Sequence, residues 1–284
     1  MILEVSEAFN PDLIHAAAIG TTRVRNAFNR LARHGLVYGV MPAINFLSRR
    51  AFVQSRPAQY ADRFEDILAL QLQWETGRKG SYRGDYTRLY FLICNIEALE
   101  EQGIDGAFAE LGVYGGNSAK VLRRLAPGRK LYLFDTFAGF PDRHASDDPG
   151  DVAAGDYACS LDQVRRFVGD DPEVTYCQGI FPETAALVPE DVRFALVHLD
   201  CDLYVPTRAA LEFFYPRMTP GGIMILHDYC SGCWAGVPRA VDEFLSDKPE
   251  GLVRIPDKSG TAAFVKLRSN SKTIQKDDTD SGCN

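Results

Sequence analysis

The sequence predicts an α/β fold built on a mostly parallel β-sheet, and two observations lead to this prediction. From Gly106 onward, short apolar segments alternate with amphipathic helical segments, which is the pattern of strands joined by right-handed crossovers. Before Gly106 the apolar periodicity is helical, and strand-like segments are scarce. We therefore predict a helical N-terminal cap over residues 1–105 and a sheet domain over residues 106–267.

The individual elements follow from the spacing of apolar residues and from the Gly and Pro residues between them. Helices are predicted over residues 12–35, 60–76, 86–103, 118–125, 161–168, 207–214 and 237–245. Strands are predicted over residues 106–112, 130–137, 173–179, 192–200, 221–228, 251–256 and 261–267. A short polar turn joins the last two strands, which indicates an antiparallel hairpin at one edge of the sheet.

Two polar segments interrupt this alternation. Residues 138–160 form a long connection that is rich in Gly, Pro and Asp. Loops of this length in a compact domain are usually functional or disordered, so we predict a mobile lid loop here. Residues 268–284 have almost no apolar content, and we predict a disordered tail.

The composition argues against several classes of function. The chain has 31 basic and 38 acidic residues and a formal net charge of -7, so we expect no nucleic-acid binding. No apolar run reaches the ~20 residues that span a bilayer, and we find no signal-peptide pattern. Seven cysteines at scattered spacings do not indicate a disulfide framework. These features lead us to expect a cytoplasmic protein.

Acidic side chains follow two of the predicted strands at the point where each strand ends. Asp200 and Asp202 follow the apolar run that begins at Phe194, and His227 and Asp228 end the strand that begins at Gly221. In open α/β sheets, ligands bind outside the carboxyl ends of the strands. The pattern therefore predicts one shared polyanionic site.

A Gly-containing turn follows the first predicted strand. The strand ends at Glu110, and Gly112, Gly115 and Gly116 would allow a ligand to approach the backbone closely. The turn is not GxGxxG and lacks the Lys of a phosphate-binding loop, so the ligand need not be a pyrophosphate. An alternative is that Gly116 and the following Asn117 are simply a turn and a helix N-cap.

The next predicted strand ends in Asp135, 23 positions after Gly112. An acidic residue about 20 residues past such a turn suits the two hydroxyl donors of a ribose. A ribose site without a phosphate cradle is the profile of S-adenosylmethionine. A negative charge at Glu110, near a sulfonium or amino group, agrees with that ligand.

Six motifs together resemble one enzyme family: ELGVYGG, FDTFAGFP, GIFPET, LDCDLY with VPT, PGGIMILHDY and AVDEF. The chain resembles the TylF/MycF/NovP-like (macrocin O-methyltransferase type) family of S-adenosylmethionine-dependent O-methyltransferases over about residues 80–267. The resemblance implies a class I methyltransferase fold, Rossmann-like, with a seven-stranded sheet and helices on both faces. It also implies a divalent metal ion, usually Mg²⁺, a homo-oligomer, and methylation of sugar or phenol hydroxyls.

The resemblance also implies functional residues. For the cofactor they are Glu110, Gly112, Tyr114, Ser118, Asp135, Thr136 and, near the adenine, Phe181. For the metal they are Asp200, His227 and Asp228, with Asp202 as the general base. The family commonly has a carboxylate where this chain has His227. Because imidazole suits Mn²⁺, Fe²⁺ or Zn²⁺ better than Mg²⁺, another ion or a catalytic role for His227 is an alternative.

Three functions are therefore under consideration. The first is a metal-dependent O-methyltransferase, with a sugar preferred over a phenol because two adjacent sugar oxygens could chelate the ion. The second is a metal-independent O-methyltransferase of the same fold that uses His227 or Asp202 as base. The third is an α/β protein that binds a metal and transfers no methyl group. Structural roles are alternatives for Asp202, as the N-cap of a helix near Pro206, and for His198 and His227.

Overall fold

The computed structural model describes residues 64–76, 85–142 and 153–268. The predicted helix over residues 12–35, the middle of the loop over residues 138–160 and the tail after residue 268 lie outside the described residues. In the part of the chain that is described, no helix is long and apolar enough to cross a membrane.

The described residues form six α-helices, seven strands and two short 3₁₀ helices. The α-helices are α1 (Phe64–Thr76), α2 (Tyr86–Glu101), α3 (Asn117–Leu125), α4 (Leu161–Val168), α5 (Tyr204–Phe214) and α6 (Gly236–Leu245). The strands are β1 (Ala107–Leu111), β2 (Leu131–Asp135), β3 (Val174–Gln178), β4 (Phe194–Leu199), β5 (Met218–Leu226), β6 (Val253–Arg254) and β7 (Ala262–Val265). The 3₁₀ helices are Glu183–Leu187 and Tyr215–Arg217.

The strands form one mixed sheet in the order β3-β2-β1-β4-β5-β7-β6. The first five strands in this order are parallel to one another. Strand β7 pairs antiparallel with both β5 and β6. The predicted α/β fold with an antiparallel edge is confirmed. The order reverses between β1 and β4, and in open α/β sheets this switch point is where ligands bind.

Several predicted boundaries are wrong, among them the start of β5, which is Met218 rather than residue 221. The errors at α5 and β6 both involve proline. Helix α5 begins at Tyr204 rather than at residue 207, because a proline such as Pro206 is tolerated in the first turn of a helix. Its N-cap is Leu203, so Asp202 is not the N-cap. Strand β6 is two residues long rather than six, and Pro256 supplies no N–H for a longer ladder.

Helices cover both faces of the sheet. Strand β4 is buried along its whole length, as expected for a parallel strand with a helical layer on each side. On one face the core contains side chains of α1, α2, α3 and α4, including Ile67 and Leu89. On the other face it contains side chains of α5 and α6, including Phe214 and Val241. This sandwich leaves the carboxyl ends of the parallel strands as the place for a site.

Helix α2 brings a basic side chain to those strand ends. Its N-cap is Asp85, whose carboxylate accepts a hydrogen bond from the backbone N–H of Arg88 at 3.3 Å. Arg88 lies in the first helical turn, where the helix dipole disfavours a positive charge. The Arg88 side chain is nevertheless only 3% exposed. Hydrogen-bond acceptors at the strand ends offset the cost of burying this charge at the start of a helix.

The close approach of β1 and β4 gives a stability prediction. Gly112 has a φ of +90°, and a Cβ at this position would lie 1.9 Å from the backbone oxygen of Asp200. We expect Gly112→Ala to lower the free energy of unfolding by at least about 3 kcal/mol, because strain and a backbone clash add. Urea denaturation measures this loss.

Gly103 is the matched control for this substitution. Its φ is +62°, and a methyl group added there would have no neighbouring atom within 4 Å, so only backbone strain should be felt. We expect Gly103→Ala to cost about 1 kcal/mol. Equal losses in the two variants would contradict the account of a tight contact between Gly112 and Asp200.

Candidate active site

A cavity of about 560 Å³ opens at the carboxyl ends of the parallel strands. Its lining includes nine of the residues singled out from the sequence: Gly112, Tyr114, Asp135, Thr136, Phe181, Asp200, Asp202, His227 and Asp228. The lining also includes Arg88, Phe140, Tyr157 and Trp234, which the sequence reasoning missed. The two acidic strand ends therefore face the same space.

Asp135 joins the two turns on one side of this cavity. One carboxylate oxygen accepts a hydrogen bond from the backbone N–H of Tyr114 at 2.8 Å, and the other accepts from the N–H of Phe137 at 2.7 Å. Burial raises the pKa of Asp135, and these N–H donors partly offset the rise. Each oxygen keeps acceptor capacity, so Asp135 can brace the turns and still accept ligand hydroxyls.

Glu110 and Ser118 lie behind the cavity wall and do not line it. The Glu110 side chain is fully buried and accepts hydrogen bonds from Ser118 Oγ and, at 2.9 Å, from His198 Nδ1. Their expected direct contact with a cofactor therefore has no support in this arrangement. The strand period carried a signal for this, since Glu110 shares a face with Phe108 and is in register with His198.

Gly112 and Gly116, in the turn after β1, make room for protein rather than for a ligand. The space beside the Cα of Gly112 is taken by the backbone of Asp200. At Gly116, which has a φ of +83°, a Cβ would lie 2.8 Å from a methyl group of Val168. The N-cap of α3 is Gly116, whereas Asn117, which the alternative interpretation took as the N-cap, is the first residue of the helix. Gly112 still contributes to the cavity wall.

Aromatic side chains form another part of the wall. Tyr157 makes edge contacts with Tyr114 and Phe140, with ring centroids 5.7 and 5.4 Å apart, and lies 6.4 Å from Trp234. Tyr157 belongs to the segment predicted as a lid, and it is 55% exposed. Such rings offer apolar faces with polar edges, which suit a molecule with both CH and OH groups. Phe181, by contrast, is buried against Phe134 and Phe214.

The two strand ends bring Asp200, His227 and Asp228 together, with one potential ligand atom from each lying within 4.8 Å of the others. His227 Nδ1 lies 2.7 Å from Asp200 Oδ1 and 2.6 Å from Asp228 Oδ2. The convergence of the strand ends follows from the pairing of β4 with β5. Whether this group holds a metal depends on what else touches it.

The guanidinium group of Arg88 contacts two members of this cluster, Asp200 and His227. Its Nη2 atom lies 2.7 Å from Asp200 Oδ2 and 3.1 Å from His198 Nε2. Its Nη1 atom lies 2.7 Å from His227 Nε2. Arg88 therefore connects the acidic cluster to the buried pair of His198 and Glu110.

These contacts assign the tautomers of both histidines. A guanidinium group donates hydrogen bonds and has no acceptor, so the Nε2 atoms of His198 and His227 must accept. Each ring then carries its proton on Nδ1 and donates it to a carboxylate, Glu110 for His198 and the pair Asp200 and Asp228 for His227.

The charges around His227 act in opposite directions. Burial and Arg88 lower the pKa of His227, but the two carboxylates outweigh them and raise it to about 9. A protonated ring would, however, direct its Nε2–H at the guanidinium N–H groups. We favour the neutral ring while Arg88 is in place, because the donor geometry permits no other arrangement.

Asp200 and Asp202 respond to the same environment in opposite ways. Burial raises the pKa of Asp200, but His227 and Arg88 outweigh it and hold the pKa well below its usual range. Burial together with the charges of Asp200 and Asp228 raises the pKa of Asp202 well above its usual value. Of these two carboxyl groups, Asp202 is therefore the one with the raised pKa, a property that is common among catalytic groups.

As arranged, these residues do not fit a divalent metal ion. The Nε2 lone pair of His227 points at Arg88, and its Nδ1 carries a proton, so the ring offers no ligand atom. A dication about 4 Å from the guanidinium would be repelled by about 8 kcal/mol at an effective dielectric constant of about 20, before its attraction to the carboxylates is counted. The acidic cluster already has a cation beside it, because the Arg88 guanidinium pairs with Asp200.

The strand order, the cavity at the switch point and the acidic end of β2 define a class I methyltransferase fold. The chain belongs to the macrocin O-methyltransferase (TylF) family, whose family model matches residues 83–255, more than half of the chain. The resemblance inferred from the sequence motifs is thereby confirmed.

Two relatives are O-methyltransferases by name, and the name of the first contains a rhamnosyl group. The 8-demethyl-8-(2,3-dimethoxy-alpha-L-rhamnosyl)-tetracenomycin-C 4'-O-methyltransferase of Streptomyces olivaceus is 34% identical over 149 residues, which are 47% of this chain and 57% of that protein. The mycinamicin III 3''-O-methyltransferase of Micromonospora griseorubida is 30% identical over 152 residues, 48% of this chain and 59% of that protein. The chain thus spans less than two thirds of the length of these relatives.

Solved structures agree on the fold. The O-methyltransferase NovP superposes with a TM-score of 0.55 at 25% sequence identity, covering 70% of this chain and 88% of that chain. The calicheamicin methyltransferase CalS11 gives a TM-score of 0.51 at 24% identity, covering 76% of this chain and 95% of that chain. The second likeness concerns the fold alone.

Proposed function

We propose that this protein is an S-adenosylmethionine-dependent O-methyltransferase that acts on a hydroxyl of a sugar moiety in a natural product or glycan. The observation that carries the proposal is a single cavity with Asp135 on one wall and Asp202 on another. Family membership supports methyl transfer, and the rhamnosyl group in the name of one relative supports a sugar as acceptor. Family membership also speaks against a metal-binding protein that transfers no methyl group.

The cofactor side of the cavity is the wall formed by the ends of β1 and β2. Asp135 is held in place by two backbone N–H groups and faces the cavity, so it can accept hydrogen bonds from a ribose diol. When bound, S-adenosylmethionine supplies a methyl group activated as a sulfonium. The protein contributes largely by positioning, because the acceptor oxygen must lie in line with the bond that breaks.

Asp202 is the proposed general base. It follows β4, lines the cavity and has a raised pKa, which brings its proton affinity closer to that of an acceptor hydroxyl. The acceptor oxygen forms a bond to the methyl carbon, its proton passes to Asp202, and the electron pair of the broken carbon–sulfur bond stays on sulfur. The neutral His227, whose Nδ1 proton is shared with two carboxylates, is poorly placed to take this proton.

The acceptor is proposed to lie against the aromatic wall of Tyr157, Phe140 and Trp234. We expect Tyr157→Ala to raise the KM for the acceptor by about fivefold, because ring contacts of this kind are worth about 1 kcal/mol beyond burial. Tyr157→Phe is the control and should stay close to the wild type if the ring face matters. Initial-rate measurements at varied acceptor concentration check this, and an unchanged KM in Tyr157→Ala would place the acceptor elsewhere.

Methyl transfer itself is tested with labelled S-adenosylmethionine and a panel of rhamnosides and nucleotide-linked deoxysugars. We expect label in at least one sugar product, with mass spectrometry locating one added methyl group on a hydroxyl. A protein that binds S-adenosylhomocysteine but labels only phenols would overturn the sugar part. A protein that binds neither donor nor product would overturn the proposal as a whole.

Several sequence-based predictions stay predictions at this point. They are the metal dependence of the reaction, the homo-oligomeric state, the cytoplasmic location, and the roles of residues 1–105 as a cap and residues 138–160 as a mobile lid. One observation bears on the metal dependence, because the contacts of Arg88 favour the metal-independent alternative.

A further inference from the structure

We propose that the guanidinium of Arg88 is the built-in cation of this site and takes the place of a divalent metal ion. The proposed chemistry rests on the function proposed above, whereas the occupancy of the cluster by Arg88 does not. Its consequence is that the acceptor is methylated without a metal, and that removal of the Arg88 charge creates a metal site.

Three hydrogen-bond acceptors lie around the guanidinium of Arg88. A carboxylate oxygen of Asp200 and the Nε2 atoms of His198 and His227 all lie within 3.1 Å of its terminal nitrogens. Two imidazole nitrogens and one carboxylate are a ligand set that transition metals accept. Here the three acceptors point at hydrogen-bond donors that are part of the chain.

The acceptors are themselves fixed by buried anions. Glu110 fixes the Nδ1 proton of His198, and Asp228 together with Asp200 fixes that of His227. The side chains of Glu110 and His198 are fully buried, and that of His227 is 6% exposed. Such supporting contacts set the tautomer and direction of a ligand ring. In this protein they aim both rings at Arg88.

Arg88 is held in the site by the helix that carries it. It stands in the first turn of α2, which packs on the sheet through buried residues such as Leu89 and Ile93. The helix that carries the Arg88 side chain is therefore part of the core, so this cation cannot diffuse out of the site as a metal ion does. A preorganised charge of this kind needs no rearrangement during the reaction.

Arg88 also reaches the reacting space. It lines the cavity together with Asp202 and Asp228. As Asp202 removes the proton from the acceptor hydroxyl, negative charge grows on the acceptor oxygen, and a positive charge in a water-poor site stabilises it. Arg88 thus acts as an electrostatic positioning residue, and a metal-bound oxygen is not required.

The test is Mn²⁺ binding to the full-length protein, followed by electron paramagnetic resonance of the free ion after removal of adventitious metal. We expect the wild type and Arg88→Lys to leave the Mn²⁺ signal unchanged. We expect Arg88→Met to bind one Mn²⁺ per chain at least about tenfold more tightly than the wild type, because the repelling charge is gone. Asp200→Asn in the Arg88→Met background should abolish that binding.

Two outcomes would overturn the proposal. One is stoichiometric Mn²⁺ binding by the wild type that Asp200→Asn removes. The other is a folded Arg88→Met protein, as judged by circular dichroism, that gains no binding. If Arg88→Met does not fold, the comparison of wild type with Asp200→Asn decides alone. Because the readout is metal binding, a protein without methyltransferase activity would overturn the proposed function and leave this result intact.

Discussion

Replacement of Asp202 by asparagine should lower kcat by about 10²–10⁴-fold while leaving S-adenosylhomocysteine binding within a few-fold of the wild type. The amide keeps the size of the side chain but cannot take a proton. Asp202 lines the cavity and has a pKa raised by burial and by the charges of Asp200 and Asp228. Steady-state kinetics and calorimetry with S-adenosylhomocysteine measure the two quantities.

The pH dependence of the wild-type rate is a second test of the role of Asp202. A general base works only when it is deprotonated, so the rate should rise with pH as the raised pKa of Asp202 is passed. Asp170→Asn, which changes an exposed carboxylate outside the cavity, is the control and should leave the profile unchanged. A rate in Asp202→Asn close to that of the wild type would move the role of base to another group, with His227 as the first alternative.

Replacement of Arg88 by methionine should lower the free energy of unfolding by about 3–5 kcal/mol, because it leaves the charge of a buried carboxylate without its partner. Arg88 is 3% exposed, and its partner Asp200 is 10% exposed. Chemical denaturation of the purified variant measures the loss. Activity without added metal should fall as well, and Arg88→Lys should recover part of both, since the charge is restored without the forked geometry.

Arg208 is the matched control for this change. It also forms an ion pair, with Glu212 at 2.8 Å, but both side chains are substantially exposed on the surface of α5. Exposed pairs four residues apart on a helix contribute about 0.3–0.5 kcal/mol, so Arg208→Met should have a small effect. Similar losses at the two positions would contradict the view that Arg88 neutralises a buried acidic cluster.

The sheet was predictable because its signals are local in the sequence. Short apolar runs separated by helical segments lead to parallel strands with crossovers, and this holds for β1, β2, β4 and β5. The meeting of Asp200 with Asp228 was predictable for the same reason, since adjacent parallel strands end side by side. Proline accounts for the boundary errors at α5 and β6.

Arg88 was not predictable from the same signals. A basic residue in the first turn of an amphipathic helix ordinarily belongs to a solvated face. Only the tertiary placement of α2 brings it over the ends of β4 and β5, and no periodicity encodes that placement. Glu110 is a second example. Its residue type suits a cofactor contact, but it lies on the face of β1 that brings it to His198 instead.

Binding of S-adenosylhomocysteine to the full-length protein, measured by isothermal titration calorimetry, tests most directly whether this cavity is a methyl-donor site. We predict saturable binding of one molecule per chain. Asp135→Asn should weaken that binding by at least about tenfold, because it removes the carboxylate that we propose binds the ribose, and Asp170→Asn should leave it unchanged. An absence of binding, or equal binding by Asp135→Asn and the wild type, would contradict the assignment of this cavity.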